Sequence, residues 1–324
     1  MNRIAVLTSG GDAPGMNACI RAVVRGGIYH GLEVIGVRRG YSGLVAGDVF
    51  SLSSHSVSNS IQRGGTMLKS ARSPEFLTAE GRKKAYEQLI EIGAQALIVI
   101  GGNGTFQGAL HFFEEHQFPV IGVPGTIDND LSGTDYTIGY DTAVNTALEA
   151  IDKIRDTADS HERIFLIEVM GRDSGYIALQ SGLAGGAEMI MVPEIMLSTS
   201  EIIQTLKQRK TGSKSSSIII VAEGEQKNTA ARLADQIRHQ IDFEFDIRVT
   251  TLGHIQRGGS PSAQDRLLGS RLGLGALEGL LMGKKNVMVG LVNHQLTYTP
   301  LKEAIEQKKP IHRDLLRMIE ILRV

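Results

Sequence analysis

The chain has 324 residues, of which 42% are hydrophobic, and this length predicts two domains with sizeable buried cores. The formal net charge is −1, so no basic excess favours a nucleic-acid partner, and no apolar run is long enough to span a bilayer. Cys19 is the single cysteine, which excludes an internal disulfide and favours a reducing compartment. We therefore expect a cytoplasmic protein without a membrane partner, with Cys19 buried in a helix.

Short apolar strands, each followed by a glycine-containing loop, recur along the chain. They are predicted at Ile4–Leu7, Leu97–Ile100, Val120–Val123, Arg163–Val169 and Ser217–Ala222. Helical patterns are predicted at Asn17–Val24, from the loop after Ile100 through Phe113, and at Gly139–Ala158. Continuously apolar strands are typical of parallel sheets buried on both faces. The alternation predicts an α/β fold with two doubly wound domains and mainly parallel sheets.

Two of the loops have the composition of anion-binding turns. Ser9–Asn17 reads SGGDAPGMN, and Gly101–Thr105 reads GGNGT. Glycines let backbone N–H groups approach a phosphate closely, and the following helix N-terminus adds partial positive charge. Each loop could equally be a tight strand–helix connection. A GxGxxG fingerprint is missing from both, which argues against a nucleotide-binding dehydrogenase.

A third loop, Pro124–Asp130, reads PGTIDND and carries two carboxylates. Asp128 and Asp130 stand two residues apart, so one could take a proton while the other holds a divalent cation. Phosphoryl transfer requires this division, because the protein mainly positions groups and balances charge. The alternative is an Asx-turn without catalytic purpose.

Cationic side chains lie beside these and other predicted loops. They are Arg72, Arg163, Arg172, Arg248, His254 and Arg257. Arginine binds phosphate in a planar, bidentate manner, so the group suits phosphorylated ligands, although any single member could be a surface charge.

The order of four motifs resembles the bacterial ATP-dependent 6-phosphofructokinases along essentially the whole chain. The motifs are GGDAPGMN, PGTIDND, MGR and GHIQRGGSP. The resemblance implies phosphorylation of fructose 6-phosphate to fructose 1,6-bisphosphate with ATP and Mg2+. It also implies an active site in the cleft between the two domains. We expect the ATP-binding domain at 1–139 plus 253–302 and the sugar-phosphate-binding domain at 140–252 plus 303–324.

The resemblance assigns roles to individual residues. Asp128 matches the general base, with Thr126 beside it, and Arg72 and Arg172 match the arginines that balance charge on the phosphoryl group. The matches to ATP contacts are Gly11, Arg72, Ser73, Gly102, Asn103, Gly104 and Thr105, and those to the magnesium site are Asn103 and Asp130. The matches to sugar-phosphate contacts are Thr126, Asp128, Met170, Gly171, Arg172, Glu223, His254 and Arg257.

Two further groups of matches concern assembly and regulation. Arg163 and Arg248 match residues that reach the neighbouring subunit's site, which implies a homotetramer with shared active sites. An effector pocket for ADP or phosphoenolpyruvate is matched by Arg21, Arg25, Arg155, Gly186, Glu188 and Lys214. Ser54, Gly212 and Ser215 stand where basic residues are usual, so we expect a blunted effector response.

One departure falls on the magnesium site, where Asn103 stands in place of the family's usual Asp. Asn keeps an oxygen acceptor but lacks the negative charge that Mg2+ prefers, so we expect weaker Mg-ATP use. Gly104 and Gly125 favour ATP over pyrophosphate, since the pyrophosphate-using branch usually has Asp and Lys there. The alternatives are a weakened, ligand-binding or regulatory paralogue and, less favoured, a pyrophosphate-dependent enzyme.

Overall fold

The protein is described here from a computed structural model that covers residues 1–161, 163–195, 199–210, 216–224, 229–240, 246–311 and 313–322. The chain divides into two compact units. Unit 1 comprises Met1–Thr142 and Arg257–Lys309, and unit 2 comprises Ala143–Gln256 and Pro310–Val324. The chain therefore changes unit three times.

The helices and strands alternate along most of the chain. In chain order they are β1 (Arg3–Thr8), α1 (Met16–Tyr29), β2 (Glu33–Val37), α2 (Gly40–Val45), β3 (Val49–Leu52), α3 (Ala79–Glu91), β4 (Leu97–Gly101), α4 (Asn103–His116), β5 (Val120–Pro124), α5 (Tyr140–His161), β6 (Ile164–Val169), α6 (Tyr176–Ala184), β7 (Met189–Met191), α7 (Thr199–Lys210), β8 (Ser217–Ala222), α8 (Thr229–Gln240), β9 (Ile247–Thr251), α9 (Ala263–Leu281), β10 (Val287–Val292), β11 (Gln295–Pro300), α10 (Leu301–Glu306) and α11 (Arg313–Leu322). Short 3₁₀ turns lie at Glu75–Leu77 and Gly253–Arg257.

Unit 1 contains a seven-stranded sheet in the order β11-β10-β5-β4-β1-β2-β3. Its five inner strands pair in parallel, while β3 and β11 pair antiparallel at the two edges. The predicted mainly parallel α/β fold is thereby confirmed. All five residues of both β4 and β5 are buried, as their continuous apolar character predicts.

Helix α1 packs closely against α9 in unit 1. A Cβ at Gly273 would lie 2.6 Å from the Cys19 carbonyl oxygen, and one at Gly269 would lie 2.8 Å from the Gly15 carbonyl oxygen. These glycines allow the two helix backbones to approach, and the contact fixes the start of α1 after the Ser9–Gly15 loop. Cys19 is fully buried there, as predicted, and burial raises the pKa of its thiol.

Unit 2 contains a four-stranded parallel sheet in the order β7-β8-β6-β9. Every residue of β6 and β8 is buried, again in agreement with their apolar sequences. The predicted strand at Arg163–Val169 begins one residue later, so Arg163 precedes β6 instead of belonging to it. Within the described ranges, no helix combines the length and apolar character that crossing a bilayer requires.

Candidate active site

Three loops of unit 1 lie side by side at one edge of its sheet. They follow β1, β4 and β5, which are parallel neighbours, so their carboxyl ends meet. The Ser9 amide donates to the Ile100 carbonyl at 3.0 Å, and the Gly125 amide donates to the Gly101 carbonyl at 2.9 Å. The SGGDAPG, GGNGT and PGTIDND segments are thus brought together.

Close packing at the junction of these loops requires glycine at position 101, whereas position 102 leaves ordinary contact distance for a Cβ. A Cβ at Gly101 would lie 2.3 Å from the Thr105 Oγ1 and 2.5 Å from the Ser9 carbonyl oxygen. A Cβ at Gly102 would lie 3.4 Å from the Thr126 Cβ. A larger residue at Gly101 would force the first two loops apart.

Helix α4 begins at Asn103, so Asn103–Thr105 form its first turn and not a loop before it. Gly102 is the N-cap and gives no side-chain cap, which leaves the first backbone amides available for an anion. The buried Thr105 Oγ1 has no hydrogen-bond partner in the part of the chain that the structure describes. A buried hydroxyl of this kind, beside uncapped amides, suits a phosphate oxygen.

Tyr41 supports this helix start and was not singled out by the sequence. Its buried hydroxyl donates to the Thr105 carbonyl at 2.7 Å. Its ring stacks on Phe76, with centroids 3.9 Å apart, and Phe76 follows the predicted Arg72–Ser73 contacts. No sequence signal could have identified Tyr41, because Thr105 is 64 residues away.

Asp128 lies in a tight turn after β5 and is 9% exposed. Its amide donates to the Thr126 Oγ1 at 3.2 Å, and Thr137 Oγ1 donates to the Thr126 carbonyl at 2.6 Å. Asn129 has a left-handed φ of 51°, and its Oδ1 accepts from the Thr137 amide at 3.0 Å. The i to i+2 bond is thus accepted by Thr126 as a Ser/Thr-type turn, while Asn129 binds the more distant Thr137 amide; together they hold the Asp128 carboxylate in a largely dry position beside the glycine loops.

The predicted magnesium residues follow adjacent strands. Asn103 opens the helix after β4, and Asp130 ends the turn after β5; both are half-buried. Across the described residues, no group of three His, Cys, Asp or Glu side chains could hold a metal by itself. This arrangement fits Mg2+, which usually binds through one or two carboxylates together with phosphates and water.

The predicted arginines of unit 1 differ in their surroundings. Arg72 is exposed and forms no ion pair among the described residues. Ser73 accepts a hydrogen bond from the Phe76 amide at 3.3 Å. Arg257 packs on Gly11, where an added Cβ would lie 2.4 Å from its Nη1, and the same nitrogen donates to the Asp12 carbonyl at 3.3 Å.

Unit 2 brings together three loops of its own, after β6, β8 and β9. The Arg172 amide donates to the Glu223 Oε1 at 3.1 Å, which joins the first two. Gly171 has a φ of 147°, and a Cβ there would lie 2.2 Å from the Ser174 carbonyl oxygen, so glycine is required. His254 is exposed on the third loop.

Gln256 links two of these loops and was also missed by the sequence. It is fully buried; its Oε1 accepts from the Met170 amide at 3.3 Å, and its Nε2 donates to the Gly253 carbonyl at 3.0 Å. Met170, Gly171, Arg172, Glu223 and His254 therefore belong to one neighbourhood.

Arg163 and Arg248 lie elsewhere in unit 2. Both are ion-paired to Asp246, with Arg163 Nε 2.6 Å from Oδ2 and Arg248 Nε 2.8 Å from Oδ1. Arg163 precedes β6, whereas Met170 follows it, and a six-residue strand spans about 20 Å. One chain therefore does not place Arg163 beside its own Met170–Arg172 loop.

Part of the predicted effector group is assembled in unit 2. Arg155 donates to the Gly186 carbonyl at 2.8 Å, and its Nη1 lies 3.8 Å from the Glu188 Oε1. Glu188 also accepts from the Ile218 amide at 2.7 Å. Arg21 and Arg25 are on α1 of unit 1, while Lys214, Gly212 and Ser215 lie outside the described residues.

Asp265 belongs to α9, and its buried carboxylate lies beside the first residues of α5. It accepts from the amides of Gly139 and Thr142, both at 2.8 Å, and so caps the helix from α9. Burial raises the pKa of Asp265 to about 6, although the Thr142 hydroxyl and the two amides act in the opposite direction.

Comparison with known proteins decides the family. The family model described as Phosphofructokinase matches residues 3–280. The chain belongs to the phosphofructokinase family. A phosphofructokinase relative from Cytophaga hutchinsonii, named ATP-dependent 6-phosphofructokinase, is 58% identical over 99% of this chain and 98% of its own length. ATP-dependent 6-phosphofructokinase 1 from Thermus thermophilus is 59% identical over 99% of both chains.

Solved phosphofructokinase structures support the same fold. The phosphofructokinase from Saccharomyces cerevisiae matches with a TM-score of 0.87 and 35% identity. The match covers 100% of this chain and 47% of the yeast chain, so the chain spans about half the yeast protein's length.

Proposed function

We propose that the protein is an ATP-dependent 6-phosphofructokinase that converts fructose 6-phosphate to fructose 1,6-bisphosphate in glycolysis. The observation that carries this proposal is the meeting of two glycine loops with the Asp128 turn at the carboxyl ends of β1, β4 and β5. The full-length relatives named ATP-dependent 6-phosphofructokinase support it.

In this proposal, unit 1 binds the nucleotide and supplies the base. Uncapped amides at the start of α4, with Thr105, hold phosphate oxygens, and Gly11, Arg72 and Ser73 complete the ATP contacts. Asp128 takes the proton of the sugar hydroxyl while the hydroxyl oxygen bonds to the γ-phosphorus of ATP. The bond between that phosphorus and the ADP oxygen breaks, and ADP leaves. Thr126 holds the Asp128 amide, and Arg72 with Arg172 balances the charge on the phosphoryl group.

Magnesium belongs to the same proposal. Asp130 would hold the ion through its carboxylate, and Asn103 would supply a neutral amide oxygen at the start of α4. When bound with ATP, the ion supplies positive charge beside the phosphates. The neutral Asn103 supports weaker Mg-ATP use than a carboxylate would give.

Unit 2 binds the sugar phosphate in this proposal, through Met170, Gly171, Arg172, Glu223 and His254, with Arg257 of unit 1. The separation of Arg163 and Arg248 from this loop neighbourhood favours their use by a neighbouring subunit, as in a homotetramer with shared sites. The proposed ADP or phosphoenolpyruvate site would include Arg155, Gly186 and Glu188, which lie together in unit 2. A cytoplasmic location follows from the proposed glycolytic reaction.

ATP is preferred to pyrophosphate because of Gly104 and Gly125. A Cβ at Gly125 would lie 2.9 Å from the Ile100 Cγ2 and 3.0 Å from the Met16 Cε, so a lysine there needs repacking. The weakened paralogue remains the second candidate, and Asn103 is the observation that favours it.

The test is turnover by the purified full chain with fructose 6-phosphate, Mg2+ and either ATP or pyrophosphate. We expect ATP-dependent product, and we expect Asp128→Asn to lower kcat about 1,000-fold while changing both KM values little. Binding of both substrates without turnover would support the paralogue instead.

A further inference from the structure

Lys309 lies in the segment after α10 and reaches the Asp128 turn from the far end of the sequence of unit 1. It is half-buried, and its Nζ lies 2.9 Å from the Asn129 Oδ1 and 2.7 Å from the Asp135 carbonyl oxygen. Both distances are those of good hydrogen bonds to an ammonium donor.

Asn129 is the residue on which the turn depends. Its backbone has the left-handed φ of 51°, which asparagine adopts more readily than most residues. Its Oδ1 accepts from both Lys309 and the Thr137 amide, and its Nδ2 donates to the Asp135 carbonyl at 3.3 Å. Its two neighbours in sequence are Asp128 and Asp130, so any rotation of Asn129 moves both carboxylates.

The charge of Lys309 is held at a cost to folding. Burial lowers the pKa of its amine to about 8, while the carboxylates of Asp135 and Asp130 act in the opposite direction. An uncharged side chain of similar length would fill the same space without this desolvation. The hydrogen bonds, and not the packing of the stem, therefore account for a lysine at this position.

We propose that Lys309 is a positioning residue for phosphoryl transfer, which fixes the Asp128–Asp130 turn through Asn129 and the Asp135 carbonyl. The inference rests on the proposed function, in which Asp128 is the base. Lys309 acts through these two contacts and is not assigned a contact with substrate. Displacing a positioned base by about 1 Å is enough to lower a rate about 100-fold, so loss of this support should appear mainly in kcat.

The test compares Lys309→Met with Lys308→Met, which removes the adjacent, exposed lysine. We expect Lys309→Met to lower kcat 10- to 100-fold, with KM for ATP and fructose 6-phosphate within about threefold of the unmodified chain. Lys308→Met should match the unmodified chain. Lys309→Gln keeps a neutral N–H donor, so its kcat should lie between those of Lys309→Met and Lys308→Met. It also serves as a second variant if Lys309→Met folds poorly.

A double-mutant cycle then separates positioning from general stability. Because Lys309 and Asn129 bond to each other and to the same Asp135 carbonyl, they should act as one unit, and Lys309→Met combined with Asn129→Ala should be little slower than Asn129→Ala alone. Equal kcat for Lys309→Met and Lys308→Met, or losses that multiply in the double variant, would overturn the inference alone. No turnover by the unmodified chain and Lys308→Met would overturn the proposed function, and the inference with it.

Discussion

Arg163 is bound by Asp246, whose Oδ2 lies 2.6 Å from the arginine Nε. The same carboxylate binds Arg248, and hydrogen bonds from Arg248 and Arg163 hold the pKa of Asp246 below its usual value. The pair sits at the amino ends of β6 and β9, about 20 Å from the loop that begins at Met170. These two arginines thus share one carboxylate and lie far from the residues of their own chain that we propose bind the sugar phosphate.

This separation predicts complementation between two inactive variants. If Arg163 serves the neighbouring subunit, a mixed assembly of Arg163→Ala and Asp128→Asn chains contains sites with an intact base and an intact arginine. Chains unfolded and refolded together should regain at least ~10% of normal activity at limiting fructose 6-phosphate, because a random mixture contains such sites. Each variant refolded alone is the control. Activity no greater than the sum of the two controls would place Arg163 in its own chain's site.

Asn103→Asp should improve the use of Mg-ATP. A carboxylate at the start of α4 adds a charged oxygen ligand and also favours the helix N-terminus. We expect kcat/KM for Mg-ATP to rise about tenfold and the Mg2+ concentration for half-maximal rate to fall. Asn59→Asp, which adds the same charge at an exposed turn, is the matched control. An unchanged magnesium dependence in Asn103→Asp would refute a metal role for this position.

Gly104→Asp should fold normally but use ATP poorly. Apart from the adjoining backbone of α4, no atom of the described residues lies within 4 Å of a Cβ built on Gly104, so the fold has room for the side chain. The added carboxylate repels nucleotide phosphates at the helix start, and we expect kcat/KM for ATP to fall about 100-fold. Gly104→Ala adds the Cβ without charge and should stay within about threefold of the unmodified chain. A comparable loss of kcat/KM in Gly104→Ala would mean that the size of the side chain, and not its charge, limits the use of ATP.

Asp265 should make stability depend on pH in a definite direction. Its pKa is raised from 3.8 to about 6 in the folded state, so its favourable contribution is complete below pH ~4 and is lost as the pH rises through about 6. Relative to Asp265→Asn, the unmodified chain should lose about 2 kcal/mol of unfolding free energy between pH 4.5 and 7.5. Urea unfolding at both pH values measures this, with Asp235→Asn as an exposed-carboxylate control. A difference that does not vary with pH would contradict the raised pKa.

The effector response should be blunted. Ser54, Gly212 and Ser215 leave the proposed pocket with fewer cations for a polyanion such as phosphoenolpyruvate. We expect millimolar phosphoenolpyruvate to shift the half-saturating fructose 6-phosphate concentration by less than about threefold. Saturation curves with and without the effector measure the shift, and a strong shift would disprove the expectation.

The sequence predicted the features that depend on local pattern. Buried strands were visible as apolar runs, and the glycine loops after Thr8, Gly101 and Pro124 had to meet because parallel strands share an edge. Asn103 was placed in a loop because the local glycines signal a turn, but a helix can begin directly after Gly102 without a side-chain cap.

Contacts between distant residues could not be predicted in this way. Lys309 meets Asn129 across 180 residues, and Gln256 meets Met170 across 86. Gln256 lies within the GHIQRGGSP motif, but the motif does not show that its side chain binds the Met170 amide, and a lysine in a polar segment is usually a solvated charge. Only the folded structure shows that these side chains hydrogen-bond to the loops that contain the motifs.

The division of unit 1 into two stretches of chain bears on how the protein is made. β5 pairs with β10, which begins roughly 160 residues later in the chain. At ordinary rates of translation, β10 is therefore synthesised about 10–30 s after β5, and the β5 edge stays unpaired during that time. During this interval the nascent chain carries an apolar strand with open backbone groups. Nascent-chain protection by chaperones, and slower translation of unit 2, should therefore affect the yield of this protein more than that of a chain with contiguous units.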